Sequence, residues 1–175
     1  MLKRLLSLGA AAIATVVAAC EEGPSSVSGT WRSPATWSSM TYASAKGPLL
    51  LEVLGNPFAS VAADDLAPLA AQAMSGQVIG RQLTFTTDRG QAPQPGFRVV
   101  LAFNVPVNTD AKKLCAGTVS HLPAGERVAV MASFCADGDL LASVRGWVAR
   151  IEGPSDQRFL QLLGQMTREL FGTAP

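Results

Sequence analysis

The sequence predicts an α+β domain, an antiparallel sheet of about five strands with two helices packed on one face. Three observations carry that expectation. "ERVAVMASFCADGDLLASVRGWVAR", residues 126–150, reads as a β-hairpin turning at Asp137-Gly138. Phe159, Leu162, Leu163, Met166 and Leu170 recur at helical spacing near the C-terminal end. Between residues 49 and 104, short apolar runs alternate with turn signals.

The elements follow in chain order. Leu49 to Leu54 is an apolar run closed by Gly55-Asn56-Pro57, a strand. Asp64 or Asp65 is expected to cap a helix running to about Ser75, with Leu66, Leu69, Ala73 and Met74 on one face and Pro68 tolerated in the first turn. "RQLTFTTD", Arg81 to Asp88, alternates as a half-buried strand, and Phe97 to Asn104 is another, with Phe97, Val99, Leu101 and Phe103 on one side. Residues 105–125 form a long connection with one helical turn around Asp110 to Leu114. A structureless loop of that length is uncommon unless tied down.

In the hairpin, a turn at Asp137-Gly138 sets Ala136 opposite Asp139 and Cys135 opposite Leu140. Unbroken pairing then sets Phe134 opposite Leu141, Met131 opposite Val144, Val130 opposite Arg145, Ala129 opposite Gly146 and Val128 opposite Trp147. The side holding Cys135, Met131 and Ala129 is small and apolar and suits a covering helix. The side holding Phe134 and Val128 is expected to be partly exposed. A one-residue slip reverses the two faces. The final helix has Ser155 as N-cap and Gly172 as its stop, with Arg158, Gln161, Gln165 and Arg168 toward water.

The N-terminal stretch differs in kind. Lys3 and Arg4 precede an uncharged apolar run, Leu5 to Ala19, shorter than the roughly 20 residues a spanning helix needs. A positive start, a short apolar centre and a small-residue end describe a secretory signal. "VAAC", Val17 to Cys20, resembles the lipobox of bacterial lipoproteins, with Val17 where Leu is usual. The resemblance implies cleavage before Cys20, a lipid on its sulfur, and acylation of the new amino terminus. Two or more acyl chains hold a protein firmly at a bilayer. Plain secretion with Cys20 free is the alternative. Glu21, where Asp favours inner-membrane retention in Gram-negative members, implies an outer-membrane protein facing the periplasm. The chain thus divides into a signal peptide (1–19), a lipid-anchored tether and arm (20–47) and one α+β domain (48–175).

Without Lys3 and Arg4, the 14 basic residues become 12 against 13 acidic, a net charge near −1. A nucleic-acid binder, with its clustered basic face, is not expected. With Cys20 lipidated, Cys115 and Cys135 remain as a pair in an oxidising compartment, expected to form a disulfide; two separate buried thiols are the alternative. Two cysteines and one histidine fall short of a zinc ligand set, so no metal or cofactor is expected.

Chemistry-bearing motifs are sparse. His121 is the sole histidine. It lacks a G-x-S-x-G elbow or other hydrolase pattern around it. "TDAK", Thr109 to Lys112, has the wrong hydroxyl residue for a Ser-Lys pair, and Asp64-Asp65 and Asp137-Gly-Asp139 fit cap and turn roles. These readings favour a non-enzymatic envelope lipoprotein that binds another envelope component. Its candidate contacts are Trp31 and Trp37 in the arm, Arg145 with Trp147 on the hairpin, and the loop from Cys115 to His121. The arm aromatics, Tyr42 included, are read first as packing on the domain, with Trp37 to Ser44 as a first edge strand or a packed arm, and contact with a partner or the membrane surface is the alternative. The rival is a hydrolytic or small-ligand-binding protein with a cleft lined by His121, Asp110 and Arg89.

Overall fold

A computed structural model describes residues 25–149 and 151–174. Ten elements appear in the order β1 (Ser25–Arg32), α1 (Thr36–Ala43), β2 (Leu49–Leu54), α2 (Ala63–Met74), β3 (Phe85–Thr86), β4 (Phe97–Phe103), α3 (Ala111–Cys115), β5 (Arg127–Ala136), β6 (Asp139–Ala149) and α4 (Gln157–Phe171). The six strands form a single sheet ordered β1-β6-β5-β4-β2-β3. The fold is mixed α/β, with six strands and four helices among the described residues in place of five and two.

The sheet is also not wholly antiparallel. β2 runs parallel to both β3 and β4, while β4, β5, β6 and β1 alternate in direction. A parallel pair needs a crossover of a dozen or more residues. The twelve-residue α2 supplies it, returning the chain to the end from which β2 set out. Read as a succession of strands, the sequence hides this return.

Further expectations change. Residues 25–43, assigned to the tether and arm, build β1 on the sheet edge and then a helix, α1, where a Trp37–Ser44 strand was expected. Helix α1 is fixed by Thr36 Oγ1, which donates to Leu141 O at 2.6 Å, and buries Met40 and Ala43 in the core. Only Phe85 and Thr86 of "RQLTFTTD" pair as a strand. Ala62, not Asp64 or Asp65, is the N-cap of α2; both aspartates lie in its first turn, where a carboxylate complements the helix dipole.

In the hairpin, Ala136↔Asp139 and Cys135↔Leu140 pair as expected. A bulge between Phe134 and Cys135 then makes Leu141 an extra residue, so Phe134 faces Ala142, Met131 faces Arg145, Val130 faces Gly146 and Ala129 faces Trp147. The β6 residues from Ala142 onward therefore point opposite to expectation. Val128, Val130, Ala132 and Phe134 face the main core with Ala142, Val144 and Val148. That is the side expected to be partly exposed. The Cys135 and Met131 side is the one carrying the smaller cluster, covered by α3.

The main core fills the space between the sheet and α1, α2 and α4. The stripe read from the sequence is buried as expected, with Phe159, Leu162, Leu163, Met166 and Leu170 all sealed from water. Each such side chain contributes roughly 1.5–3 kcal/mol by burial. Gly146 lets α4 approach β6: a Cβ there would stand 2.7 Å from Leu162 Cδ1 and 3.0 Å from Met166 Sδ. Asp156, one residue past the expected Ser155, caps α4 by accepting from Arg158 N at 2.8 Å. Gly172 ends it with φ +72°. Arg168, expected toward water, instead donates to Gln77 Oε1.

Candidate functional site: the disulfide-tied face and its aromatic edge

The sheet face opposite the main core carries most of the residues singled out above. Asp110 caps the five-residue α3, its carboxylate accepting from Lys112 N at 3.0 Å. Cys115 at the helix end bonds to Cys135 of β5, with an S–S distance of 2.04 Å and the Cα atoms 5.6 Å apart. The expected disulfide is present. Ser133 Oγ donates to Ala111 O at 3.1 Å and fixes the other end of the helix. The long 105–125 connection is thereby tied down at both ends of α3.

Arg98, which sequence reading passed over, organises this face. From β4 its guanidinium reaches Glu52 Oε2 at 2.8 Å, Asp137 O at 2.9 Å and Cys115 O at 2.7 Å. It joins β2, the hairpin turn and the disulfide. The available signal was an arginine inside the strand "FRVVLAF", at the alternate position facing away from Val99 and Leu101. Arg89 also pairs with Glu52, at 3.4 Å, and both side chains are substantially exposed.

Trp31, Arg145 and Trp147 belong to one side of the β1–β6 pair. Trp31 is paired with Ser143, which alternates with Arg145 and Trp147 along β6. Trp31 is 48% exposed. Trp147 is half-buried, with the Arg127 guanidinium 4.6 Å from its ring centroid, a cation–π contact. Arg145 donates to Pro106 O and Thr109 O. Partial burial holds its pKa below the ordinary arginine value. It ties the 105–125 connection to β6. Trp37 is separate from this group, half-buried against the main core.

The three residues that would line the cleft of the rival reading, a hydrolytic or small-ligand-binding protein, serve distinct local contacts. Asp110 caps α3, Arg89 pairs with Glu52, and the His121 ring lies against Gly55. His121 Nδ1 donates to Phe103 O at 2.8 Å, and a Cβ at Gly55 would stand 2.7 Å from that nitrogen. Two cavities are lined by other residues. One, of about 280 Å³ between α2 and α4, presents Gln72, Gln77, Gln157, Gln161 and Arg168. The other, of about 380 Å³, lies between Asn104-Val105 and the 122–127 segment. Amide-lined and distant in sequence, the first carries no motif a linear reading could find. Among the described residues no group of three or more His, Cys, Asp or Glu side chains is placed to hold a metal ion, and no helix is long and apolar enough to cross a membrane. Cys20 lies outside the described residues.

The fold and face define a mixed α/β domain with a disulfide-tied cover on one side of its sheet. No family model matches the chain, and no curated protein matches it. Among solved structures it is similar to a dodecamer of a PelC variant from Paraburkholderia phytofirmans, at 16% identity, covering 72% of this chain and 90% of that chain with a TM-score of 0.41. A likeness that distant carries no function across.

Proposed function

We propose that this chain is a lipid-anchored envelope protein, acylated at Cys20, held at the outer membrane and facing the periplasm. Its domain serves as a non-enzymatic binding or assembly module. The observation that carries the anchor is the sequence itself: Lys3-Arg4, the apolar run Leu5 to Ala19, and "VAAC" ending at Cys20. The disulfide supports an oxidising compartment. The non-enzymatic reading is supported by the use of His121, Asp110, Arg89 and Arg145 in separate structural contacts. A nucleophile–base–orienter arrangement needs such groups to converge.

The test is crosslinking capture from intact cells, comparing the tagged native chain with Cys20→Ala. An envelope protein recovered only with the native chain is the expected result. Robust hydrolase turnover by the purified native protein would overturn the non-enzymatic reading. A small-ligand binder is the second reading, favoured by the glutamine-lined cavity between α2 and α4. Carboxamides offer donor and acceptor together, and Arg168 adds a cation.

A further inference from the structure

Where the chain enters the fold decides which end of the domain the membrane can touch. Ser25, the first described residue, is opposite Trp147, which in turn faces Ala129. These residues lie toward one end of the sheet, where β5 begins at Arg127 and β6 ends at Ala149. The Asp137-Gly138 turn marks the opposite end. From Ala129 to Ala136, the last residue of β5, is seven residues, about 23 Å at strand rise. Cys20 precedes Ser25 by five residues, which reach at most about 18 Å when fully extended.

Those two lengths are unequal in the direction that matters. With the hairpin turn on the bilayer, Ser25 would stand farther from the lipid than Cys20 can follow. With the Arg127 end toward the bilayer, the tether suffices. Exposed apolar side chains alone do not choose, since Tyr42 and Ile79 are exposed at the hairpin-turn end. The covalent path does.

What that end presents suits a bilayer interface. Leu122 is 53% exposed, and it is held there: its N–H donates to Asn104 O at 2.6 Å, while Asn104 itself is bonded to Ala129. Pro123 follows it along the rim of the adjoining cavity. Trp147 stacks under Arg127, an amphipathic aromatic beside a cation, as found at lipid headgroup level. Val107, 89% exposed, lies on the connection that Arg145 ties down.

We propose that the Leu122, Arg127 and Trp147 end of the domain rests on the headgroup region of the bilayer that anchors Cys20, so that the hairpin-turn end, with Tyr42 and Ile79, projects away from it. This rests on acylation of Cys20. The purified lipoprotein is reconstituted in phosphatidylethanolamine–phosphatidylglycerol vesicles, with an environment-sensitive fluorophore at Leu122→Cys or, as the distal control, Gly138→Cys. Gly138 is exposed, with open space at its Cβ position. Mass spectrometry of the N-terminal peptide first establishes whether the anchor is present; its absence means the anchor reading has failed and the orientation with it. With the anchor present, the 122 probe shifts to the blue and is quenched by a nitroxide carried on the lipid, while the 138 probe stays unquenched. Equal, solvent-like emission from both, or quenching at 138 alone, overturns the orientation. Circular dichroism of each labelled variant confirms that it is folded before the comparison is read.

Discussion

Replacing both Cys115 and Cys135 by alanine removes the bridge without leaving a hydroxyl in the dry pocket where Cys135 is fully buried. The two cysteines are 20 residues apart, and closing a loop of that size restricts the unfolded chain by about 3 kcal/mol. The native-state contacts around it are expected to survive. Ser133 still donates to Ala111 O, Arg98 to the carbonyl of residue 115, and Arg145 to the carbonyls of Pro106 and Thr109. The loss therefore falls chiefly on the unfolded state. For a domain of this length 1 kcal/mol shifts Tm by about 2–4 °C, so the double variant should melt about 10 °C lower. The assay is thermal unfolding followed by far-ultraviolet circular dichroism without reductant, with near-ultraviolet spectra to show that the native fold persists. An unchanged Tm would refute the loop-closure reasoning. Loss of the near-ultraviolet signal at low temperature would show instead that the bridge is needed to hold the 105–125 connection in place.

Gly146→Ala forces a Cβ against Leu162 and Met166 and should destabilise by about 1–3 kcal/mol, read from the urea midpoint. Phe159→Ala opens a cavity beside Phe58 and Phe103 and should lose about 3–5 kcal/mol in the same titration. Asp156→Ala removes the α4 cap and its Arg158 partner, a loss of about 1 kcal/mol. The hydrogen bonds and charge of Arg158 hold the Asp156 carboxyl below its ordinary range. A carboxylate depressed in the folded state adds stability above the unfolded pKa of about 4, and loses it as pH falls through the folded value. Asp156→Asn, which can still cap, should therefore flatten part of the loss of stability seen in urea titrations between neutral and acidic pH.

Legibility in the sequence followed the strength of local patterning. Helix α4 and strand β4 were readable because their apolar residues keep one period over two or more turns or pleats and end at clear stops. The disulfide was readable because setting Cys20 aside as the expected lipid site left two cysteines to pair. Strand β1 was not, since "SSVSGTWR" offers only Val27 and Trp31 as apolar side chains, four residues apart, a spacing that fits strand and helix alike; pairing with β6 makes it a strand. The hairpin turn was placed correctly, but consecutive Leu140 and Leu141 gave no sign of which one the bulge would absorb, and that residue decides the faces of β6. The parallel pairing of β2 depends on where α2 returns the chain, a tertiary fact. The common side of Trp31, Arg145 and Trp147 depends in turn on β1, and the Arg98 network on four segments far apart in sequence.

The central claim is a domain tied to the membrane through Cys20. Its most direct test is mass spectrometry of the N-terminal peptide of the protein isolated from the membrane fraction of its native host. The account predicts a peptide beginning at Cys20 that carries a lipid on the Cys20 sulfur and an amide-linked acyl chain on its new amino group. An unmodified Cys20 at the start of a protein found in the soluble fraction, or an intact N-terminus retaining Lys3 and Arg4, would contradict it.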